Sequence, residues 1–154
     1  MFFYSYYFGG FDTEFKKIDS DKFEVSKKIL SSKGEEITEI KMGEIVHVEV
    51  YLRSKNNKPI SDAVLVDLFP GGFEIVLDEV MRAQGYDGYT PDFIDVREDR
   101  IISYGEIGTK VSKIRYALKA VNVGDFSLPA PFVEDMYQID DKATGLAKRL
   151  KVIK

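Results

Sequence analysis

The segment 46–52, VHVEVYL, alternates strictly: Val46, Val48, Val50 and Leu52 share one phase, and His47, Glu49 and Tyr51 the other. A period of two belongs to a strand with one face buried and the other turned outward, and it fits no helix. The segment 113–120, KIRYALKA, repeats the pattern, which predicts Ile114, Tyr116, Leu118 and Ala120 inward and Lys113, Arg115, Ala117 and Lys119 outward. Segments 22–29 (KFEVSKKI), 63–69 (AVLVDLF), 100–104 (RIISY) and 149–153 (RLKVI) are four further candidate strands, and FSL at 126–128 is strand-like.

Between these runs stand SKNNKP at 54–59, PGG at 70–72 and NVGD at 122–125, which supply the Asn, Gly and Pro that tight reversals need. Seven to eight short strands punctuated in this way predict an all-β fold, an antiparallel β-sandwich of two sheets. Residues 78–91, DEVMRAQGYDGYTP, contain two glycines and end in proline, so a long surface loop is expected there. The N-terminal MFFYSYYF is apolar but lacks a basic region and a small-residue cleavage site, and is read as a strand rather than an export signal. Its abrupt start is what a domain cut from a longer protein would show.

At 154 residues the chain has the length of one domain and can bury a core without crosslinks. A net charge of −4 offers no basic footprint for a phosphate backbone, so no nucleic-acid partner is expected. The absence of cysteine removes disulfides, thiolate metal sites and thiol nucleophiles together.

Little in the sequence points to chemistry. His47 is the only histidine and is expected at a solvated outward position rather than as a ligand or base. Asp87, Asp92, Asp95, Glu98 and Asp99 crowd one stretch, but their spacing does not match an EF-hand loop, and Arg97 and Arg100 interleave with them. VREDR instead reads as a strand-associated salt-bridge cluster of Arg97, Glu98, Asp99 and Arg100. FGGF and PGGF lack the lysine and third glycine of phosphate-binding loops and read as turns. No enzymatic activity, metal or cofactor is expected.

One segment resists the bland reading. FSLPAPFVEDMY, 126–137, runs from a strand through Pro129 and Pro131 and past Glu134 and Asp135, and ends on two large apolar side chains, Met136 and Tyr137. Proline at this density marks a surface segment, where such a pair is either the core of an edge strand or a contact surface.

Taken in order, DAVLVDLFPGGFEI, FIDVREDRIISY, KIRYALKAVNVGDFSLPAPFVEDMY and GLAKRLKVI resemble the C-terminal domain of bacterial α2-macroglobulins, and FFYSYYFGGF is similar to the strand that enters it from the preceding domain. The likeness covers nearly the whole chain. Departures are Val123, where the family often has proline in the turn, and Gln138 and Ile139, where it has Asp-Pro after the Met-Tyr pair.

The resemblance implies a macroglobulin-like, immunoglobulin-like two-sheet sandwich over residues 1–154, the last domain of a large protease trap. It implies a periplasmic parent anchored to the membrane through its own N-terminus, while this domain inserts in no membrane. Partners implied are the thioester domain of the same parent and, through the full-length protein, target proteases. Met136 and Tyr137 would shield the thioester from water, with Pro129, Pro131, Glu134 and Asp135 supporting the docking loop. The alternative is a carbohydrate-binding or adhesin sandwich in which Tyr86 and Tyr89 stack on sugar rings.

Overall fold

A computed structural model describes residues 17–77 and 91–154; the N-terminal run expected as a strand, and residues 78–90 of the expected loop with Tyr86, Asp87 and Tyr89, lie outside the described residues. Among the described residues the chain forms twelve strands: β1 Phe23–Leu30, β2 Glu39–Lys41, β3 Ile45–Ser54, β4 Ile60–Leu68, β5 Phe73–Ile75, β6 Phe93–Val96, β7 Arg100–Ile107, β8 Ser112–Ala120, β9 Gly124–Leu128, β10 Phe132–Asp135, β11 Lys142–Thr144 and β12 Lys148–Ile153. The excess over seven or eight comes from short strands whose three or four residues hold too few alternations to register as a period.

The strands pair into sheets ordered β1-β3-β8-β5, β11-β10-β4-β7-β6 and β2-β12-β9. Pairing is antiparallel apart from β12 with β2, which run parallel. The two larger sheets turn one face each toward a common core. Val46, Val48, Val50 and Leu52 of β3 and Ile114, Tyr116 and Leu118 of β8 meet Ala63 and Leu65 of β4, Ile101 and Ile107 of β7 and Val133 of β10. Each fully buried Val, Leu or Ile contributes about 1.5–3 kcal/mol over its exposed state, so these faces fix the register. The small sheet adds Ile40, Leu128, Leu150 and Val152 to the same core.

Two positions depart from the alternation. Ala117 is buried although its phase is outward, and His47, paired across the sheet with Leu30 and Ala117, is half-buried rather than solvated. Glu49, also in the outward phase of β3, is buried as well; it accepts a hydrogen bond from the Tyr51 hydroxyl and lies 3.3 Å from Lys113 Nζ. Burial pushes the Glu49 carboxyl up, but the Tyr51 and Lys113 donors outweigh it and hold the group below its ordinary value. The same Glu49 contact, with burial, raises the Tyr51 phenol to about 12.

The turn signals fall where the chain reverses. Ser54 Oγ donates to the Lys58 carbonyl at 2.8 Å and receives the Asn56 N–H, fixing the passage from β3 to β4. At PGG, a Cβ on Gly72 would lie 2.1 Å from the Phe126 ring, which stands edge-on to Phe73 with ring centroids 5.7 Å apart. Glycine is required there by close approach.

Candidate functional site

The proline-rich segment is the crossing from the small sheet to the five-stranded one. Leu128 ends β9, Phe132 begins β10, and β10 pairs with β4 on one side and β11 on the other, Phe132 facing Val66 and Thr144. Residues 136–141 are therefore the tip of the β10–β11 hairpin. Pro131 is buried and its carbonyl accepts the Gly145 N–H at 2.9 Å. Gly145 must be small, since a Cβ would lie 2.9 Å from the Pro131 ring and 3.3 Å from the Val25 carbonyl.

The tip is held by its own backbone. The Met136 N–H donates to the Asp62 carbonyl at 2.8 Å, the Asp135 N–H to the Asp141 carbonyl at 2.9 Å, and the Asp141 N–H to the Gln138 carbonyl at 2.8 Å. Asp135 Oδ1 accepts the N–H groups of Tyr137 (2.9 Å) and Gln138 (3.2 Å), an Asx-type turn that sets the bend immediately after β10. Lys22 closes the far end with an ion pair to Asp141 at 3.3 Å.

On this fixed frame Met136 is 51% exposed, Tyr137 75% and Ile139 78%. The pair is thus not part of the core, and Ile139 extends it into a three-residue apolar tip. Glu134 is half-buried on β10, paired across the strands with Lys142 and Val64. Ile139 stands in the sequence only as a departure from the family's Asp-Pro, and its place two residues beyond Tyr137 in a short turn is the signal that marks it as part of the tip.

Behind the crossing lies a polar cluster that sequence reasoning missed. Lys27 of β1 and Asp67 of β4 form an ion pair with side chains 1% and 0% exposed. The Tyr116 hydroxyl of β8 donates to Asp67 Oδ2 at 2.6 Å, and Lys27 Nζ donates to the Pro129 carbonyl at 2.8 Å. Burial pushes the Asp67 carboxyl up against the opposing pull of Lys27, and burial with the neighbouring carboxylate drives the Tyr116 phenol well above its ordinary value.

The VREDR residues occupy the β6–β7 turn, where the Arg97 N–H donates to the Arg100 carbonyl at 2.8 Å. Arg97 pairs with Asp95 at 2.9 Å and Arg100 with Asp99 at 2.6 Å, all near the surface, while Glu98 projects outward. Exposed pairs of this kind are worth about 0–1 kcal/mol each. Arg100 holds the Asp99 carboxyl below its usual value. Among the described residues no group of three or more His, Cys, Asp or Glu side chains is arranged to hold a metal, and no helix is long and apolar enough to cross a membrane.

Comparison with known proteins places this geometry. The family model described as the bacterial Alpha-2-macroglobulin MG10 domain matches residues 23–140. The chain is 38% identical over 144 residues to an alpha-2-macroglobulin of Rickettsia conorii, covering 88% of this chain and 8% of that protein. It therefore spans less than a tenth of that relative's length. Its fold is similar to that of Salmonella alpha-2-macroglobulin reacted with methylamine (TM-score 0.76, 23% identity, 92% of this chain and 10% of that one). It is similar also to that of Escherichia coli alpha-2-macroglobulin activated by porcine elastase (TM-score 0.74, 22% identity, 90% and 14%). The match across β1 to β10, together with the macroglobulin-type sandwich, shows that the chain belongs to the bacterial alpha-2-macroglobulin MG10 domain family.

Proposed function

We propose that this chain is the non-catalytic C-terminal domain of a bacterial protease trap, and that it docks through the β10–β11 hairpin tip on the thioester domain of its own parent. Met136 and Tyr137 then lie over the thioester and keep water from it until a target protease cuts the parent. The parent is periplasmic and anchored through its N-terminus.

The observation that carries this reading is the exposure of Met136 and Tyr137 on a tip whose backbone is pinned at both ends. An acyl group that must survive in water needs a dry apolar cover whose contacts are lost on rearrangement. A thioether adapts to an irregular surface, and a phenol ring gives a flat face with one polar handle. The preset turn around Asp135 and the prolines at 129 and 131 reduce the entropy lost on docking. A Salmonella alpha-2-macroglobulin has been reacted with methylamine, and attack by an amine is a reaction such a lid would guard against.

The test is spontaneous decay in the parent. With Met136→Ala and Tyr137→Ala together, amine-reactive thioester should be lost faster on standing, while freshly prepared protein still captures a protease. Decay at the wild-type rate would return the tip to an ordinary exposed turn.

A further inference from the structure

We infer that Lys27 is a positioning residue for the Met136–Tyr137 hairpin, acting through the Pro129 carbonyl. The inference deepens the docking reading and rests on it for its purpose.

The crossing at 129–131 has few ways to be fixed. Pro129 and Pro131 have no N–H, so neither can donate to a ladder, and the segment leaves one sheet before it joins another. Two of its carbonyls are held. Pro131 accepts from Gly145 on the return arm of the hairpin, and Pro129 accepts from Lys27 on the opposite sheet. The first bond travels with the hairpin; the second ties its root to the core.

The donor is itself held in place. Lys27 sits in the apolar phase of β1, between Val25 and Ile29, with its charge opposed by Asp67. Tyr116 occupies the other oxygen of Asp67 and so orients the carboxylate toward Lys27. Asp67 adjoins Val66, which pairs with Phe132 at the start of β10, so both arms of the cluster converge on the base of the hairpin.

A buried ion pair gives little net stability over apolar side chains of equal volume. What Lys27 supplies that a methionine could not is directional, a donor aimed at the Pro129 carbonyl. Stability and hairpin placement can therefore be separated by substitution.

The experiment is native-state amide exchange on the 154-residue chain, comparing hairpin amides (Asp135, Met136, Gly145) with core amides of β3 (Val48, Val50). In Lys27→Met/Asp67→Asn, which removes both charges and keeps an amide carbonyl to accept from Tyr116, the β3 amides should stay within about threefold of wild type while the hairpin amides exchange about tenfold faster or more. Wild-type hairpin exchange in the double variant would overturn the inference, and so would hairpin and β3 amides loosening by the same factor. If the double variant does not fold, the hairpin-to-core ratio in the all-apolar triple variant Lys27→Met/Asp67→Leu/Tyr116→Phe decides by the same criterion. None of these readouts involves a thioester. A loosened hairpin alongside unchanged thioester decay in the Met136→Ala/Tyr137→Ala parent would sink the docking role and leave the positioning role standing.

Discussion

Lys27 and Asp67 meet as an ion pair between the two large sheets, with neither side chain reaching solvent. Removing one partner leaves the other charged and buried, which costs about 3–5 kcal/mol. Lys27→Met should therefore destabilise the chain by that amount at neutral pH, by urea unfolding.

The pH dependence of that variant has a definite sign. Burial already holds Asp67 above its ordinary value, and losing Lys27 removes the charge that opposes burial. A carboxyl raised on folding contributes stability below its unfolded pKa of about 4, and that stability is lost as pH rises through the folded value. The deficit of Lys27→Met relative to wild type should shrink as pH falls from about 7 to 4. A deficit that grows toward acid would show that Asp67 is not the group left uncompensated.

The pair was legible in part. Reading 22–29 with period two puts Phe23, Val25, Lys27 and Ile29 in one phase, and 63–69 puts Ala63, Leu65, Asp67 and Phe69 in another. One lysine and one aspartate in otherwise apolar phases of two strands announce a buried pair. Which sheets face each other is a property of the packed fold, however, and no local pattern carries it. The long strands β1, β3, β4, β7, β8 and β12 were readable because seven or more residues, or a clean apolar alternation, outlast the noise of single positions. The pieces β2, β5, β6, β10 and β11 were not. The burial of Ala117 escaped for another reason: a lone methyl among longer side chains is covered by its neighbours whatever its phase. In the hairpin the Asx-type turn, two backbone N–H groups on one Asp135 oxygen, is a tertiary detail that no periodicity announces.

Tyr51 offers a test at the alkaline end. Its hydroxyl donates to buried Glu49, and hydrogen bonds to charged groups are worth about 1.5–3 kcal/mol. Tyr51→Phe should cost about that much at pH 7. A phenol raised on folding contributes fully below its unfolded pKa of about 10 and loses the contribution as pH rises through the folded value. With Tyr51 pushed up to about 12, the gap between wild type and Tyr51→Phe should be flat from pH 7 to 9 and close toward pH 12. Urea midpoints along that series measure it, and a gap that widens with alkali contradicts the assignment.

Gly145 probes the base of the hairpin. A methyl group there must displace the Pro131 ring or the Val25 backbone, and overpacking of this kind costs about 1–3 kcal/mol. Gly145→Ala should lower the melting temperature, whereas Gly108→Ala, with open space around the glycine, should change it little. Equal effects at both positions would mean that close approach to Pro131 and Val25 does not set the loss at Gly145.

The Met136–Tyr137 tip can be tested for its separation from folding. Side chains that hold a core together leave cavities when cut back: Leu65→Ala, at a position sealed between the sheets, should cost about 2–5 kcal/mol. Met136 and Tyr137 stand half or more in solvent, and the turn they ride on is fixed by backbone bonds and by Asp135 rather than by their own packing. Each truncation to alanine should therefore leave the stability of the chain within about 0.5 kcal/mol of wild type, and so should Ile139→Ala. Asp135→Ala should differ from all three. It removes the acceptor of two N–H groups, costs about 0.5–2 kcal/mol as loss of a capping side chain does, and frees the tip while leaving its apolar residues in place. Thermal unfolding of the five variants side by side gives the order Leu65→Ala, then Asp135→Ala, then the three tip variants at the wild-type value. If Met136→Ala or Tyr137→Ala falls beside Leu65→Ala, the pair serves the fold itself, and the proposed docking surface loses the exposure that supports it.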